Sequence, residues 1–394
     1  MAEWITTNLE ECTDVLGDGL HGTPKYTERG EYAFINGNNL VDGEILIKKE
    51  TKRVDYSQYE KYKKPLTDRT ILVSINGTLG NVGIYDSEKI ILGKSACFFN
   101  VKESVDKDFI YYIVSSPAFK QYLESNATGT TIKNISLKQM RKYTFSLPQI
   151  SEQKRISSVL RRIDEKIKNN RAINKNLEQQ AQAYFDELFV VNADPNWSEC
   201  TLSDIGSVVA GGTPSKSKPE YYADQGIAWI TPKDLSVNKS KFISHGENDI
   251  SELGFSKSSA AKMPAGTILF SSRAPIGYIA IAQNEVTTNQ GFKSVIPNEN
   301  IGTAYLYFLL KNLLPTIEGM ASGSTFKEIS GSAMKSVPTV MPDADTIQLF
   351  SSFCEPVFKE QEILEAENQR LSALRNSLLP KLMSGELDVS DIDL

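Results

Sequence analysis

The chain of 394 residues lacks several features that would each assign it a chemistry. It has only two histidines and four cysteines, and the cysteines form no Cys-x-x-Cys pair. A histidine-based metal cluster, a zinc site and a disulfide framework are therefore not expected, and scattered cysteines are typical of a reducing cytoplasm. No apolar run approaches the roughly 18 to 20 residues of a membrane span, and the first residues carry no basic leader. We expect a cytoplasmic protein without a signal peptide.

Two stretches resemble nucleotide-binding motifs, but the residues around them do not fit those motifs. The stretch at 17–22 matches Gly-x-Gly-x-x-Gly, but Thr23-Pro24-Lys25 follows where a helix should begin. Gly93-Lys94-Ser95 resembles the end of a P-loop, yet Glu88 occupies the position of its first glycine. Neither segment is predicted to bind phosphate.

Motifs of catalytic centres are equally scarce. The patterns Asn-Pro-Pro-aromatic, Gly-x-Ser-x-Gly and His-Glu-x-x-His do not occur. Asp42 with Glu50 and Lys52 faintly resembles a nuclease set of carboxylates and lysine, but the second half of the chain has no counterpart. These absences favour a binding or scaffolding protein without catalytic residues, metal or cofactor of its own.

What the chain does contain is a long internal repeat. The triplet Gly-Thr-Pro at 22–24 recurs at 212–214, and the block ATGTTIKNIS at 127–136 recurs as ASGSTFKEIS at 321–330. Leu147-Pro148 is matched by Met341-Pro342, so the offset stays between 190 and 194 residues. A period of this length indicates a duplicated domain, because solenoid repeats run roughly 20 to 50 residues.

Each copy has the pattern of a mixed α+β module. The apolar runs at 71–75 and 267–272 predict strands that end at Asn76-Gly77 and at Arg273. Further strands are predicted at 82–85 and 277–281, and helices around 108–124 and 303–314.

A long helix is predicted after each module. Apolar residues at 4-3 spacing mark a coiled-coil seam, which includes Ile156, Leu160, Ile163, Ile167 and Leu177 in the first helix and Val357, Leu364, Leu371 and Leu378 in the second. Ser151 is the expected N-cap of the first helix, and Pro356 is expected to kink or delay the second. In an antiparallel pair, Asn170 or Asn174 would come near Asn368; solvent exposure of these asparagines is the alternative.

Charge is unevenly distributed along the chain. The net charge is −6, yet residues 133–175 contain twelve Lys/Arg against three acids, a local net charge of +9. The second predicted helix begins acidic, and the last residues are acidic too. The basic stripe is typical of a phosphate-facing surface and equally of a solvated helix face.

This organisation resembles the specificity subunits of type I restriction-modification systems. The stretch LPQISEQKRI at 147–156, continued by IDEKI at 163–167, is similar to the central conserved region of that family. The stretch LLPKLMSGEL at 378–387 is similar to its distal conserved region. One departure is that the second helix has DTIQLF at 345–350 where the first has Glu-Gln-Lys-Arg, which weakens a strict two-fold equivalence of the partner-binding surfaces.

The resemblance implies a fold and a domain plan. Two similar target-recognition domains in tandem would occupy 1–148 and 192–342, each followed by a long α-helix, at 149–191 and 343–383, with an acidic tail at 384–394. The two helices would pair as an antiparallel coiled coil that sets the distance between two half-sites.

The resemblance also implies the partners. They are double-stranded DNA, two methyltransferase subunits and a motor-nuclease subunit. S-adenosylmethionine, ATP and magnesium are expected in those subunits, and no membrane is involved.

DNA-contacting residues are predicted from chemistry alone, because base contacts do not transfer by resemblance. Amides and arginine can grip base edges, and lysines and hydroxyls can bind phosphate. The base-edge candidates are Asn76, Arg273 and Gln290. The phosphate candidates are Lys133, Lys138, Arg141, Lys142, Lys216, Lys218, Lys327 and Lys335, with hydroxyls from Thr130, Thr131, Ser324 and Thr325. Each is also compatible with an ordinary surface or turn residue.

Two alternatives to a DNA-reading subunit stay open from the sequence. A coiled-coil adaptor that binds proteins would show no preference among DNA sequences and little dependence on salt. A nuclease that uses Asp42 and Glu50 would cleave DNA with a metal ion and would lose that activity on Asp42→Ala.

Overall fold

The computed structural model describes residues 4–273, 275–323 and 327–389. They divide into two units, the first made of Met1–Ile167 and Arg370–Leu394 and the second of Lys168–Gln369. Each unit therefore takes part of both long helices.

The first unit holds eleven strands among its described residues. They are β1 (Ile5–Asn8), β2 (Thr13–Asp18), β3 (Tyr32–Ile35), β4 (Leu40–Val41), β5 (Glu44–Ile45), β6 (Arg53–Val54), β7 (Thr70–Ser74), β8 (Val82–Ile84), β9 (Ile90–Leu92), β10 (Ala96–Val101) and β11 (Thr144–Leu147). The main sheet has the order β2-β10-β7-β8, a second has the order β6-β3-β9, and β1 pairs with β11. All residues of β7 and β10 are buried, because these two strands lie in the middle of the main sheet.

Short helices complete the first module. They are α1 (Tyr56–Tyr62), α2 (Lys107–Ser115), α3 (Pro117–Asn126) and α4 (Leu137–Arg141). The helical segment predicted around 108–124 is thus two helices, because Pro117 starts a new one at a position where its missing N–H costs nothing. Ser116 caps α3, and Ser136 with Gln139 forms a capping box on α4.

The second unit contains the remaining strands. They are β12 (Ser198–Thr201), β13 (Gly206–Ala210), β14 (Tyr222–Ala223), β15 (Ile227–Ile230), β16 (Phe242–Ile243), β17 (Asn248–Ile250), β18 (Ile268–Ser272), β19 (Ile276–Ala282), β20 (Thr287–Thr288), β21 (Lys293–Pro297) and β22 (Pro338–Met341). Its helices before the long one are α6 (Leu202–Ile205), α7 (Pro232–Val237), α8 (Glu252–Ser256), α9 (Thr303–Asn312), α10 (Leu314–Met320) and α11 (Gly331–Lys335). The first long helix, α5 (Ile150–Asp186), precedes these helices in the chain.

The two modules have corresponding sheets, although each of the two larger sheets has one more strand in the second unit. In the second unit β13-β21-β18-β19-β16 forms the main sheet, β14-β17-β15-β20 forms the second, and β12 pairs with β22. The parallel pair β15 and β20 corresponds to the parallel pair β3 and β9. The expected pair of similar α+β modules in tandem is therefore confirmed.

The long helices are α5 (Ile150–Asp186) and α12 (Ala344–Met383). A π-helical turn at Glu187–Val191 follows α5. The prediction that Ser151 caps α5 is wrong by two residues, since α5 begins at Ile150 and the carbonyl of Gln149 accepts from the amides of Glu152 and Gln153.

The effect predicted for Pro356 is also wrong in part. The helix is not delayed, because α12 begins at Ala344 and continues through the proline to Met383. Packing of the neighbouring side chains, including fully buried Cys354, holds the helix across the missing hydrogen bond. The predicted end of the second helix at residue 383 matches the structure, where α12 ends at Met383 and Gly385 has a φ of +73°.

Within each unit the two long helices share a core. In the first unit Ile156 and Leu160 belong to the same buried cluster as Leu379 and Leu382. Of the predicted seam residues, those that are buried are Ile156, Leu160, Ile167 and Leu364, and those that are half-buried are Ile163, Leu177, Val357, Leu371 and Leu378.

Polar and aromatic contacts link the helices in the second unit. Asn170 donates from Nδ2 to Oδ1 of Asn368 at 3.1 Å. Farther along, Gln361 donates to the carbonyl of Asn174 at 3.1 Å, and the rings of Tyr184 and Phe353 lie 4.8 Å apart. In this unit, residues farther along α5 thus contact residues nearer the start of α12.

No helix in the described part of the chain has both the length and the apolar composition needed to cross a membrane.

Candidate nucleic-acid interface

In the first unit, the turn after β7 meets the repeated loop that precedes α4. Asn76 forms a β-bridge with Asn134, and its Nδ2 donates to Oδ1 of Asn134 at 3.2 Å. The amide of Gly77 donates to the carbonyl of Lys133 at 2.9 Å. The predicted base-edge candidate Asn76 and the predicted phosphate candidate Lys133 are therefore neighbours.

The loop itself is a tight polar hairpin. Thr128 and Asn134 exchange backbone hydrogen bonds, both 2.8 Å long. Between them Gly129 has a φ of +93°, which favours glycine. The side chains of Thr130, Thr131 and Lys133 are exposed. The hairpin therefore presents two hydroxyls and an ammonium group to solvent.

The basic residues that follow the hairpin have different roles. Lys138 and Lys142, on α4 and at its end, are exposed. Arg141 instead donates from Nη2 to the carbonyl of Leu16 at 2.8 Å and lies 3.9 Å from Glu10. Arg141 thus holds strand β2 against α4, although it was predicted to bind phosphate.

The second unit repeats this arrangement with different side chains. Arg273, directly after β18, forms a β-bridge with Glu328, and Ser322 bridges the same glutamate. The amide of Ile329 donates to the carbonyl of Ser272 at 3.1 Å, as Ile135 donates to Ile75 at 3.0 Å in the first unit. Lys327 is exposed, as Lys133 is. Ser324 and Thr325, predicted to bind phosphate, lie outside the described residues.

Glu328 lies between two cations. Nη1 of Arg273 is 3.6 Å from Oε2 of Glu328, and Nζ of Lys293 is 3.6 Å from Oε1. The side chain of Lys293 is 11% exposed, whereas those of Arg273 and Glu328 are each 39% exposed. Arg273 and Glu328 therefore form an acid–base pair at the surface, and the less exposed Lys293 contacts the same carboxylate.

The Gly-Thr-Pro turn contacts the loop that contains Gln290. The hydroxyl of Thr213 donates to Oε1 of Gln290, and the amide of Gly212 donates to the carbonyl of Thr288 at 2.8 Å. The amide of Ser272 donates to the carbonyl of Gly291 at 2.8 Å. The loop that contains Gln290 is therefore hydrogen-bonded to Ser272, the residue directly before Arg273.

The remaining lysines predicted to bind phosphate in the second unit, Lys216, Lys218 and Lys335, are exposed. Lys216 and Lys218 are in the loop after the Gly-Thr-Pro turn, where the ammonium of Lys218 is 5.2 Å from the ring centroid of Tyr221. Lys335 ends α11.

The sequence prediction missed Asn134, Glu328, Lys293 and Thr213. A signal for the first two was present, because within the ten-residue repeat 134/328 is the position where an uncharged side chain is replaced by a charged one. Lys293 and Thr213 join the site through strand pairing and through a turn contact, which no local pattern reveals.

A buried ion cluster attaches the second module to the long helices. Lys241, just before β16, contacts Glu178 of α5 and donates to Oε1 of Gln361 on α12 at 2.6 Å. The hydroxyl of Tyr307 donates to Glu178 at 3.2 Å. The carboxylate of Glu365 accepts from the amides of Lys241 and Phe242.

These contacts shift the pKa values of the cluster. Burial alone would raise the pKa of Glu178, but the charges of Lys241 and Lys311 outweigh it, so the pKa lies below its usual range. Burial lowers the pKa of Lys241 and raises the pKa of Glu365. The cluster therefore joins the second module to α5 and α12 through buried charged groups that partly neutralise one another.

A smaller polar contact attaches the first module to its helices. The hydroxyl of Tyr112 donates to Asp164 of α5 at 2.8 Å, and Nη1 of Arg375 on α12 is 2.8 Å from the same carboxylate. Nearby, Asp42 has a φ of +50° and lines a cavity of about 470 Å³ together with Asp164 and Arg375.

The two carboxylates of the nuclease alternative, Asp42 and Glu50, do not line one cavity together. Glu50 and Lys52 are not among the residues that line the cavity beside Asp42. Within the described ranges, no group of three or more His, Cys, Asp or Glu side chains could hold a metal ion.

Comparison with known proteins points to one family. The profile of the family described as type I restriction modification DNA specificity domain matches the chain twice, at residues 1–179 and 195–373. The MjaIX specificity subunit of a type I restriction enzyme from Methanocaldococcus jannaschii is 40% identical over 190 residues, which cover 46% of this chain and 44% of that subunit. The HindI specificity subunit from Haemophilus influenzae is 23% identical over 358 residues, covering 71% of this chain and 77% of the relative.

A solved structure shares the fold. The crystal structure of the S subunit of a type I restriction-modification system from M. genitalium superposes with a TM-score of 0.59 at 20% identity, covering 97% of this chain and 96% of the other.

Proposed function

Because the chain belongs to the family of type I restriction-modification DNA specificity proteins, we propose that it is the DNA-reading subunit of such a system. Each module reads one half of a bipartite, gapped target, and the chain itself catalyses no reaction. The observation that carries this proposal is the recurrence of one set of loop contacts in both units: 76 and 128 pair with 134 in the first, and 273 and 322 pair with 328 in the second. Both copies carry an exposed lysine, whereas the side chains at the bridge differ, as two half-sites of different sequence require.

The long helices act as the spacer between the two half-sites. We propose that α5 and α12 form an antiparallel coiled coil, supported by the order of their contacts in the second unit and by the buried Asn170, a residue type that fixes register. An α-helix of 37 residues is about 55 Å long. Because one turn of DNA spans about 34 to 36 Å, helices of this length can separate two reading modules by more than a turn.

The outer faces of these helices are the proposed docking surface for two methyltransferase subunits. On α5, Lys154 and Arg155 are exposed, whereas Gln153 is buried and donates to the carbonyl of Pro148 at 2.7 Å. In the family-like Glu-Gln-Lys-Arg run, Gln153 therefore supports the start of the helix, and the exposed Lys154 is a candidate contact for a partner. A motor-nuclease subunit completes the assembly, and S-adenosylmethionine, ATP and magnesium bind to the partner subunits.

The interpretation as a protein-binding adaptor is not favoured. It offers no reason why both modules carry an exposed lysine beside the same strand end. It also requires that a chain matched over nearly its whole length by DNA specificity domains has lost DNA recognition.

The experiment that tests the proposal is methylome sequencing of a host with and without this gene. We expect the loss of one bipartite, gapped adenine-methylation motif when the gene is deleted. Replacement of residues 1–148 by the corresponding module of another specificity should then change one half of the motif only. An unchanged methylome, with expression of this chain and of its methyltransferase partner verified, contradicts the proposal, and a change in both halves contradicts the assignment of one half-site to each module.

A further inference from the structure

We propose that two equivalent residue pairs read base pairs directly: Asn76 with Asn134 reads A·T, and Arg273 with Glu328 reads G·C. The inference rests on the proposed function and assigns specificity-determining residues within it. It adds Asn134 and Glu328, and it gives Arg273 and Asn76 each a partner and a base pair.

The two pairs occupy the same place in the two modules. In both, the first residue follows the end of the central strand, β7 or β18, and forms a β-bridge to the eighth residue of the repeated block. In both, the next residue of the block donates its amide to the carbonyl of the residue that precedes Asn76 or Arg273. Ile135 donates to Ile75 at 3.0 Å, and Ile329 donates to Ser272 at 3.1 Å. The backbone framework is therefore the same, and only the side chains differ.

The side chains differ in a coordinated way. In the ten-residue block, position 134/328 changes from amide to carboxylate while the lysine before it is retained. Its bridge partner changes at the same time from the amide of Asn76 to the guanidinium of Arg273. The first module thus has a neutral pair and the second an acid–base pair at the same place, and in both modules the two side chains are chemically matched to each other.

A third position changes with them. In the first unit Ala96 pairs with Ser74, two residues before Asn76, and in the second Phe292 pairs with Ser271, two residues before Arg273. The residues that follow, Cys97 and Lys293, are therefore equivalent. Cys97 is fully buried, whereas Lys293 lies 3.6 Å from Glu328. The supporting cation occurs in the module that carries the acid.

The acid–base pair matches the major-groove edge of a G·C pair. Guanine presents two acceptors, N7 and O6, which arginine can grip bidentately, and cytosine presents the N4 donor, which a carboxylate can accept. At 3.6 Å the contact between Arg273 and Glu328 is longer than a hydrogen bond, so it orients the two groups without using those donors. Both side chains are 39% exposed and can reach a ligand.

The amide pair matches adenine. Adenine presents an N7 acceptor and an N6 donor, which an asparagine or glutamine side chain can grip together. The bond from Nδ2 of Asn76 to Oδ1 of Asn134, 3.2 Å long, fixes the orientation of both amides. This bond involves one N–H of Asn76, and its second N–H and its Oδ1 are the groups that would face N7 and N6.

The test exchanges the chemistry of the pairs in the full chain together with its methyltransferase subunits. The double variant R273N/E328N replaces the second pair by the amides of the first, and N76R/N134E does the reverse. Methylation motifs in cells and binding to duplexes that differ at single base pairs are measured for both. We expect R273N/E328N to change the requirement at one G·C position of one half-site, with a preference shift of roughly tenfold to a hundredfold. The other half-site should stay unchanged.

The matched control is K262N/E285N in the same unit. Lys262 and Glu285 also form an exposed ion pair, 3.0 Å long, and removal of that pair should leave the motif unaltered. The inference is overturned if the motif stays the same in both pair exchanges, or if folded R273N/E328N loses affinity equally for all duplexes, which identifies a phosphate or framework role.

The failure of the inference is distinguishable from that of the proposed function. If the wild-type chain directs no gapped motif, the proposed function fails. Suppose instead that the wild-type chain directs a gapped motif and that both exchanged variants are folded, as judged by their thermal melting curves. If both variants keep the wild-type motif, only the assignment of these pairs fails. Should R273N/E328N not fold, N76R/N134E in the other module decides the question.

Discussion

Asn170 on α5 and Asn368 on α12 are joined by a hydrogen bond of 3.1 Å inside the second unit, and Asn170 is fully buried. The same Nδ2 group lies 2.7 Å from the carboxylate of Glu367. A buried amide at a helix interface loses stability relative to an apolar residue but allows few alternative alignments. The pair therefore fixes the axial alignment of the two helices, on which the proposed spacing of the half-sites depends.

We predict that Asn170→Ala lowers the free energy of unfolding of the second unit by about 1–3 kcal/mol, because Asn368 and Glu367 lose a buried donor. The loss should be at the lower end of this range, since Oδ1 of Asn170 has no hydrogen-bond partner among the described residues and is removed as well. Urea unfolding gives the energy, and hydrogen exchange localises it.

The neighbouring residue provides the control. Asn169 is exposed on the same helix, so Asn169→Ala should change the free energy of unfolding by less than about 0.5 kcal/mol. Equal effects of the two substitutions would mean that helix propensity, and not the buried bond, is being measured.

The sequence predicted the features that repeat or have a strong period. The strand at 71–75, the long helices and the proximity of Asn170 to Asn368 are confirmed by the structure, because each depends on a local pattern or on a regular helix geometry. The family resemblance is likewise confirmed, since it rested on several motifs spread over the whole chain.

The features that depend on contacts between distant segments could not be predicted. Arg141 looked like one more exposed cation, and only the fold shows that it holds Leu16. The ion cluster of Glu178, Lys241 and Glu365 combines residues from α5, a loop and α12. Pro356 was judged by its intrinsic propensity alone, which tertiary packing overrides.

We predict that Leu382→Ala lowers the free energy of unfolding of the first unit by about 2–5 kcal/mol, because Leu382 is 1% exposed and lies in the core of that unit. Hydrogen exchange should increase in residues 4–167 and 370–389. The distal end of α12 is thus expected to act as part of the first module's structure.

Leu374 on the same helix is 47% exposed and is the matched control. Leu374→Ala should cost less than about 0.5 kcal/mol. If Leu382→Ala instead increased exchange mainly in residues 168–369, the assignment of this helical segment to the first unit would be wrong.

A third prediction concerns the pH dependence of the second unit. The pKa of Glu178 is lowered in the folded state, so its contribution to stability is present above its unfolded pKa and is lost as the pH falls through the folded value. The free energy of unfolding should therefore fall on acidification below about pH 5, and less steeply in Glu178→Gln. At pH 7 the same variant should lose about 3–5 kcal/mol, because it leaves Lys241 buried without its carboxylate.

Glu365 supplies a control of opposite sign. Its pKa is raised by burial, so its contribution is present below its unfolded pKa and is lost as the pH rises through the folded value. Glu365→Gln should therefore remove the loss of stability that occurs as the pH rises from the unfolded to the folded pKa of Glu365, and it should leave the acid limb due to Glu178 in place. Identical pH profiles for the two variants and the wild type would refute the assigned shifts.

The last prediction concerns the exposed lysines in the two equivalent loops, Lys133 and Lys327. If each contacts a phosphate, Lys133→Ala should weaken binding to all duplex sequences alike and reduce the salt slope, log Kd against log salt, by about 1. Lys327→Ala should have the same effect, and the double variant should reduce the slope by about 2, since the modules bind separate half-sites. Lys381→Ala on α12, exposed and 4.0 Å from Glu386, is the control with an unchanged slope. A loss of sequence preference at one base pair, with the slope unaltered, would instead place Lys133 or Lys327 on a base edge.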